Sequence, residues 1–172
     1  MSAIAGWIAP SRGGAPEESA LAAMLGPLAH RNESGEALCA VIDRNHKREA
    51  VLAASLNDPA SSVSLSLDGP LANAAELRAA LSKRGFALAK GSDAEVLLRA
   101  YQYWDKDVVK HLRGAFAFAI WDRRKDRLML ARDRFGEKPL YLHERAGVLY
   151  FASEAKALLR VPGVRAELDM PA

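Results

Sequence analysis

The chain has 172 residues, with 24 basic and 21 acidic side chains and a formal charge of +3. That length suits one domain able to bury its own core, and so even a charge balance leaves no basic footprint for nucleic acid. The one cysteine, Cys39, excludes an internal disulfide, and no apolar run is long enough to span a membrane.

The opening, MSAIAGWIAP, lacks the basic start and long apolar stretch of a signal peptide, which leaves the cytoplasm as the expected location. Ile4–Ile8 reads as a strand ending at Pro10 and followed by a turn at Gly13 and Gly14. Pro16, Glu17 and Glu18 open a helix, because proline tolerates the first turn and acids suit the positive end of the dipole. Leu21, Met24, Leu25 and Leu28 recur at helical spacing as its core face. Ala37–Ile42, Glu49–Leu56 and Val63–Leu67 read as strands, with Cys39 a strand residue and Asp43–Arg48 a hairpin turn. Asn73 precedes AAELRAALSKRG, and Glu76 three residues later gives a variant of the capping box, with Gly85 as the stop. Ser92 or Asp93 caps a second helix, AEVLLRAYQYW. Ala115–Trp121, Arg127–Ala131, Leu140–His143 and Val148–Ala152 complete the strands. Elements come in blocks and do not alternate, so antiparallel sheets packed with helices are expected, an α+β fold. Phosphate-binding glycine fingerprints and paired Cys/His metal spacings are absent, and no cofactor or metal is expected.

Six blocks, in order, resemble one family. MSAIAGWI is similar to its opening, Met-Cys-Gly-Ile-Ala-Gly, and PLAHRNESGEA to its Leu-x-His-Arg-Gly-Pro-Asp-Gly loop. GSDAEVLLRAY, LRGAFAFAIWD, LMLARDRFGEKPLYL and LYFASEAKALL are similar to its later blocks. The chain is thereby identified as resembling the glutaminase domain of class II glutamine amidotransferases, on the asparagine synthetase branch. The resemblance implies the N-terminal-nucleophile hydrolase fold, a four-layer α/β/β/α sandwich of two antiparallel sheets. It also implies a single domain over 1–172, without the ATP-binding synthetase domain that follows a comparable stretch in asparagine synthetases.

Carried over residue by residue, the resemblance leaves a depleted site. Ser2 stands where the family has its N-terminal cysteine nucleophile, and a hydroxyl is a weaker nucleophile than a thiolate. Ala3 replaces a glycine. DGPLANAAELR aligns with the family's oxyanion segment, so Asp68 replaces an asparagine, Gly69 is kept and Pro70 replaces a glutamate. An amide can donate to a developing oxyanion; a carboxylate cannot, and it repels the charge. Residues Ala53, Ala54 and Ser55 hold no arginine to clamp a substrate carboxylate. Asp93 matches the aspartate that binds the glutamine α-ammonium, and it also fits a helix N-cap. Asn73 matches a family asparagine. Arg132, Asp133, Arg134 and Lys138 are expected to form an ion-paired corner. The reading that follows is an amidotransferase-like domain without glutaminase activity, supporting an ATP-dependent synthetase domain or subunit. The alternative is an N-terminal-serine amidohydrolase acting, through Ser2, on an amide other than glutamine.

Overall fold

The computed structural model describes residues 3–10, 19–31, 39–44, 48–54, 56–88 and 91–166. Two antiparallel sheets form its centre. The five-stranded sheet contains β1 (Ala5–Pro10), β2 (Cys39–Arg44), β3 (Arg48–Ala54), β8 (Tyr141–Arg145) and β9 (Val148–Ala152), in the order β2-β3-β1-β9-β8. The four-stranded sheet contains β4 (Leu56–Asp58), β5 (Val63–Asp68), β6 (Ala117–Asp122) and β7 (Arg127–Arg132), in chain order. The expected strand from Glu49 to Leu56 is two strands, β3 and β4, one in each sheet. Ala146 and Gly147, with φ of 50° and 78°, make the two-residue turn between β8 and β9, as a tight hairpin requires.

Three apolar clusters define the layers. Alternation along β1 and β9 sends Ala5, Trp7, Ala9, Val148, Tyr150 and Ala152 outward. They pack on Leu21 and Met24 of α1 (Ser19–Leu25), on Leu28 of the following 3-10 turn, and on α4 (Ala155–Leu158). The opposite face carries Ile4, Ile8 and Phe151 against Ala117, Ala119 and Trp121 of β6, closing the two sheets on each other. The outer face of β5 and β6 presents Leu65, Leu67, Phe118 and Ile120 to α2 (Ala74–Ser82) and α3 (Asp93–Trp104). The result is the expected four-layer α/β/β/α sandwich.

Helix ends follow local chemistry. Ser92, and not Asp93, caps α3, accepting from Glu95 N–H at 3.3 Å. Asn73 precedes α2 but makes no side-chain cap, so the expected capping box is not formed. Its amide instead donates to His111 O at 2.8 Å and accepts from Arg113 N–H at 3.0 Å, joining the start of α2 to the segment leading into β6. A 3-10 turn, Asp105–His111, follows α3. Tyr101 of α3 is buried and donates to Asp122 of β6 at 2.9 Å, and burial first, then Asp122, pushes its hydroxyl up to about 12.

Phe118 is fully buried between β6 and the α2/α3 layer. Phe118→Ala should cost about 3–5 kcal/mol, read as a lower midpoint in urea unfolding; a midpoint within error of the parent would contradict this packing.

Candidate functional site

The site forms where β5 ends between the sheets. Cross-strand pairing sets Ser64, Ser66 and Asp68 opposite Trp121, Ala119 and Ala117. Those partners belong to the inter-sheet cluster, so the polar face of β5 looks inward, toward the five-stranded sheet. Ser66 Oγ donates to Ala3 O at 3.4 Å, and Ser153 Oγ accepts from Ile4 N–H at 2.8 Å. These contacts hold the start of the chain across both sheets. Asp68, the last residue of β5, has no exposed surface.

A buried carboxylate needs charge and hydrogen-bond partners. Arg31, ending the 3-10 turn Gly26–Arg31, places Nη1 2.6 Å from Asp68 Oδ2. Lys138 places Nζ 3.4 Å from Oδ1. This second contact is electrostatic only, because Oδ1 accepts no hydrogen bond among the described residues. Arg31 Nε also donates to Glu154 at 2.5 Å. His30 Nε2 (2.9 Å) and Lys156 Nζ (2.8 Å) approach the same Glu154 carboxylate. Burial works against the charged form of Glu154. Hydrogen bonds from Lys156 and Arg31 outweigh it and hold the carboxyl down at about 2.

Backbone shape brings these groups together. Gly69 has a φ of +95°, and a Cβ there would lie 2.2 Å from Ala115 O and 2.8 Å from Lys138 Cε. Only glycine leaves room for that close approach. Lys138 is delivered by the loop after β7. There Asp133 accepts from Phe135 and Glu137 N–H through Oδ1, and from Lys138 N–H through Oδ2, at 3.0–3.1 Å. Burial opposes its charge, but these amides prevail and lower its pKa. The expected ion-paired corner of Arg132, Asp133, Arg134 and Lys138 is therefore not formed. Asp133 is spent on backbone amides, and Lys138 turns to Asp68.

Asp93 also lies beside this segment, accepting from Leu71 N–H at 2.8 Å, three residues past Asp68. It thus ties the α3 start to the chain following Gly69. Ala53 and Ala54 lie in β3, paired with Ala40 and Cys39. Ser2 and Ser55 lie outside the described residues. The Asp68 carboxylate is answered by two cations, Arg31 and Lys138. Sequence reasoning missed Arg31 and Glu154, although both lie inside blocks it singled out, PLAHRNESGEA and LYFASEAKALL.

Residues 1–172 match the glutamine amidotransferase domain family. The chain belongs to that family. Over 102 residues, 59% of its length, this amidotransferase domain is 43% identical to an asparagine synthetase (glutamine-hydrolysing) of Bacillus subtilis, covering 17% of that protein. It is 40% identical over 109 residues, 63% of its length, to asparagine synthetase B of Escherichia coli, covering 19% of it. The domain thus spans less than a fifth of these relatives. Its fold is similar to that of the glutamine phosphoribosylpyrophosphate amidotransferase of B. subtilis, solved with ADP and GMP. There the TM-score is 0.70 at 19% identity, over 92% of this chain and 43% of that one. Among the described residues no His/Cys/Asp/Glu group is placed to hold a metal, and no helix is long and apolar enough to cross a membrane.

The Glu154 contacts carry a pH signature. Its folded-state value lies below the ordinary 4.5, at about 2. The stabilisation is therefore complete above pH 4.5 and is lost as pH falls toward 2. Glu154→Gln should lower stability at pH 7 and flatten that acid limb, measured by urea unfolding at several pH values. An unchanged limb would show that Glu154 carries none of it.

Proposed function

We propose that this domain keeps the amidotransferase fold without glutaminase chemistry and supports an ATP-dependent, amide-forming synthetase partner. The observation that carries the reading is Asp68. At a position where the family has an amide donor, this chain has a buried carboxylate whose counter-ions are Arg31 and Lys138. A carboxylate can only accept, and losing one oxyanion donor typically lowers kcat by about 10²–10³. Serine at position 2 and the lack of arginine across Ala53–Ser55 support the same reading. The first weakens the nucleophile; the second removes the carboxylate clamp. These are separate deficits in attack, orientation and charge stabilisation.

The purified domain should release no ammonia from glutamine above the uncatalysed rate, and Ser2→Cys alone should not restore release. Turnover that vanishes in Ser2→Ala would reject this reading in favour of an N-terminal-serine amidohydrolase. Robust hydrolysis by Ser2→Cys would show that Asp68 is no obstacle.

The partner part of the reading rests on length and surface. The relatives named as asparagine synthetases are more than five times as long as the matched segment. On the Asp133 loop, Phe135 is 91% exposed. Arg132 and Arg134 precede it, exposed and in no ion pair among the described residues. A loop braced by Asp133 that presents an exposed apolar ring close in sequence to two exposed cations suits insertion into another protein surface. Phe135→Ser should reduce co-purification of an ATP-dependent synthetase produced with the domain while leaving its melting temperature unchanged. Undiminished co-purification would move the contact elsewhere.

A further inference from the structure

We propose that Arg31 and Lys138 form a carboxylate-binding corner that Asp68 occupies in cis. It is a different place from the arginine clamp expected near Ala53–Ser55, and it is built by other elements: the 3-10 turn after α1, the end of β5, and the loop after β7. Two cations from separate segments address opposite oxygens of one carboxylate, Arg31 at 2.6 Å and Lys138 at 3.4 Å. The side chains of both cations are only 16% exposed, and that of Asp68 is 0% exposed. A guanidinium donor on one oxygen and a lysine point charge near the other are groups that can hold a bound carboxylate.

The tethered carboxylate does not use the corner fully. Asp68 is fixed to the end of β5, and its Oδ1 accepts no hydrogen bond although Lys138 Nζ is close. A free carboxylate can shift until both oxygens accept. Charge favours such a ligand once the tether is removed. Arg31 faces Asp68 and Glu154, and Lys138 faces Asp68; without Asp68, Lys138 loses the carboxylate it faces and Arg31 keeps Glu154, although both cations are largely removed from solvent. Shape selects the ligand. Truncation of Asp68 to alanine removes only a carboxyl group beyond Cβ, a volume that planar formate matches and a tetrahedral sulfate exceeds. In the wild type, occupation in cis closes the corner to carboxylates from solution. The inference deepens the reading of an inactive glutaminase site and rests on it only for the position of the corner beside the oxyanion segment.

The test compares wild type, Asp68→Ala and Asp68→Asn by melting temperature in sodium formate, acetate, chloride and sulfate at equal ionic strength. Asp68→Ala leaves the space empty, whereas Asp68→Asn fills it with a neutral amide. Both variants should melt below wild type. Formate should raise the melting temperature of Asp68→Ala saturably, as a ligand bound only by the folded state does, with acetate weaker. Asp68→Asn and wild type should show no such rise, and adding Arg31→Gln to Asp68→Ala should abolish it. Equal responses to formate and chloride, a preference for sulfate, or a formate response that survives Arg31→Gln would overturn the proposal. If Asp68→Ala is insoluble, refolding yield in formate against chloride replaces the melt, and equal yields would overturn it. Glutamine turnover by wild type would reject the inactive-site reading and leave the formate result standing; failed rescue in an inactive protein would reject the corner alone.

Discussion

A carboxylate removed from water costs several kcal/mol unless cations and donors surround it, and Asp68 is removed from water completely. Its partners come from distant parts of the chain. Arg31 closes the turn after α1, and Lys138 arrives on the loop between the two sheets. Glu154, where β9 gives way to α4, holds Arg31 from the other side. Four segments are thus located by one small set of charges. Breaking such a set by removing one partner is costlier than its net contribution, because the remaining charge stays buried and unpaired.

The sandwich makes that location possible. Strand alternation puts Leu65 and Leu67 on the helix layer and Ser66 and Asp68 between the sheets. Toward the open end of the inter-sheet space, β5 therefore offers polar groups where β6 offers only Ala117 and Ala119. The chain start uses this polarity through Ala3, whose carbonyl accepts from Ser66, and the arginine and lysine use it through Asp68. Gly69 and Gly114, with φ of +95° and +125°, let the backbone pass close to Ala115 and Ala72.

Much of this architecture was legible in the sequence, and the reasons differ by element. The β8–β9 hairpin announces itself through the runs Leu140–His143 and Val148–Ala152 around a polar turn ending in glycine, although Glu144 and Arg145 pair within the strand and shorten that turn to Ala146–Gly147. Core faces such as Leu21, Met24 and Leu28 follow from helical spacing alone. The capping box failed because Asn73 has a better use, bridging His111 and Arg113, which are far away in sequence. The ion-paired corner failed for a similar reason. Asp133 looks like a partner for neighbouring arginines, but a carboxylate preceding a turn with several free amides satisfies itself on the backbone. Arg31 and Glu154 stayed hidden because their meeting depends on tertiary packing across 123 residues. The two were present in recognisable blocks, yet no periodicity relates them.

A fold-level match does not carry activity with it, and on the proposed reading the charges around Asp68 mean that no single substitution would give this site glutaminase chemistry. Exchanging the family's asparagine for Asp68 swaps a donor for an acceptor and a neutral group for a charge. In a buried place that charge requires Arg31 and Lys138 to face it. Once they do, returning a neutral amide to this position leaves Lys138 without a carboxylate partner, and Arg31 with Glu154 alone, among the described residues. The donor is regained at the expense of unpaired cations. The position is therefore coupled to two others, and contacts that share a partner do not change independently. A site arranged this way is stable as structure whether or not it reacts, which is the property a domain needs if its remaining task is to hold a surface such as the Phe135 loop in place.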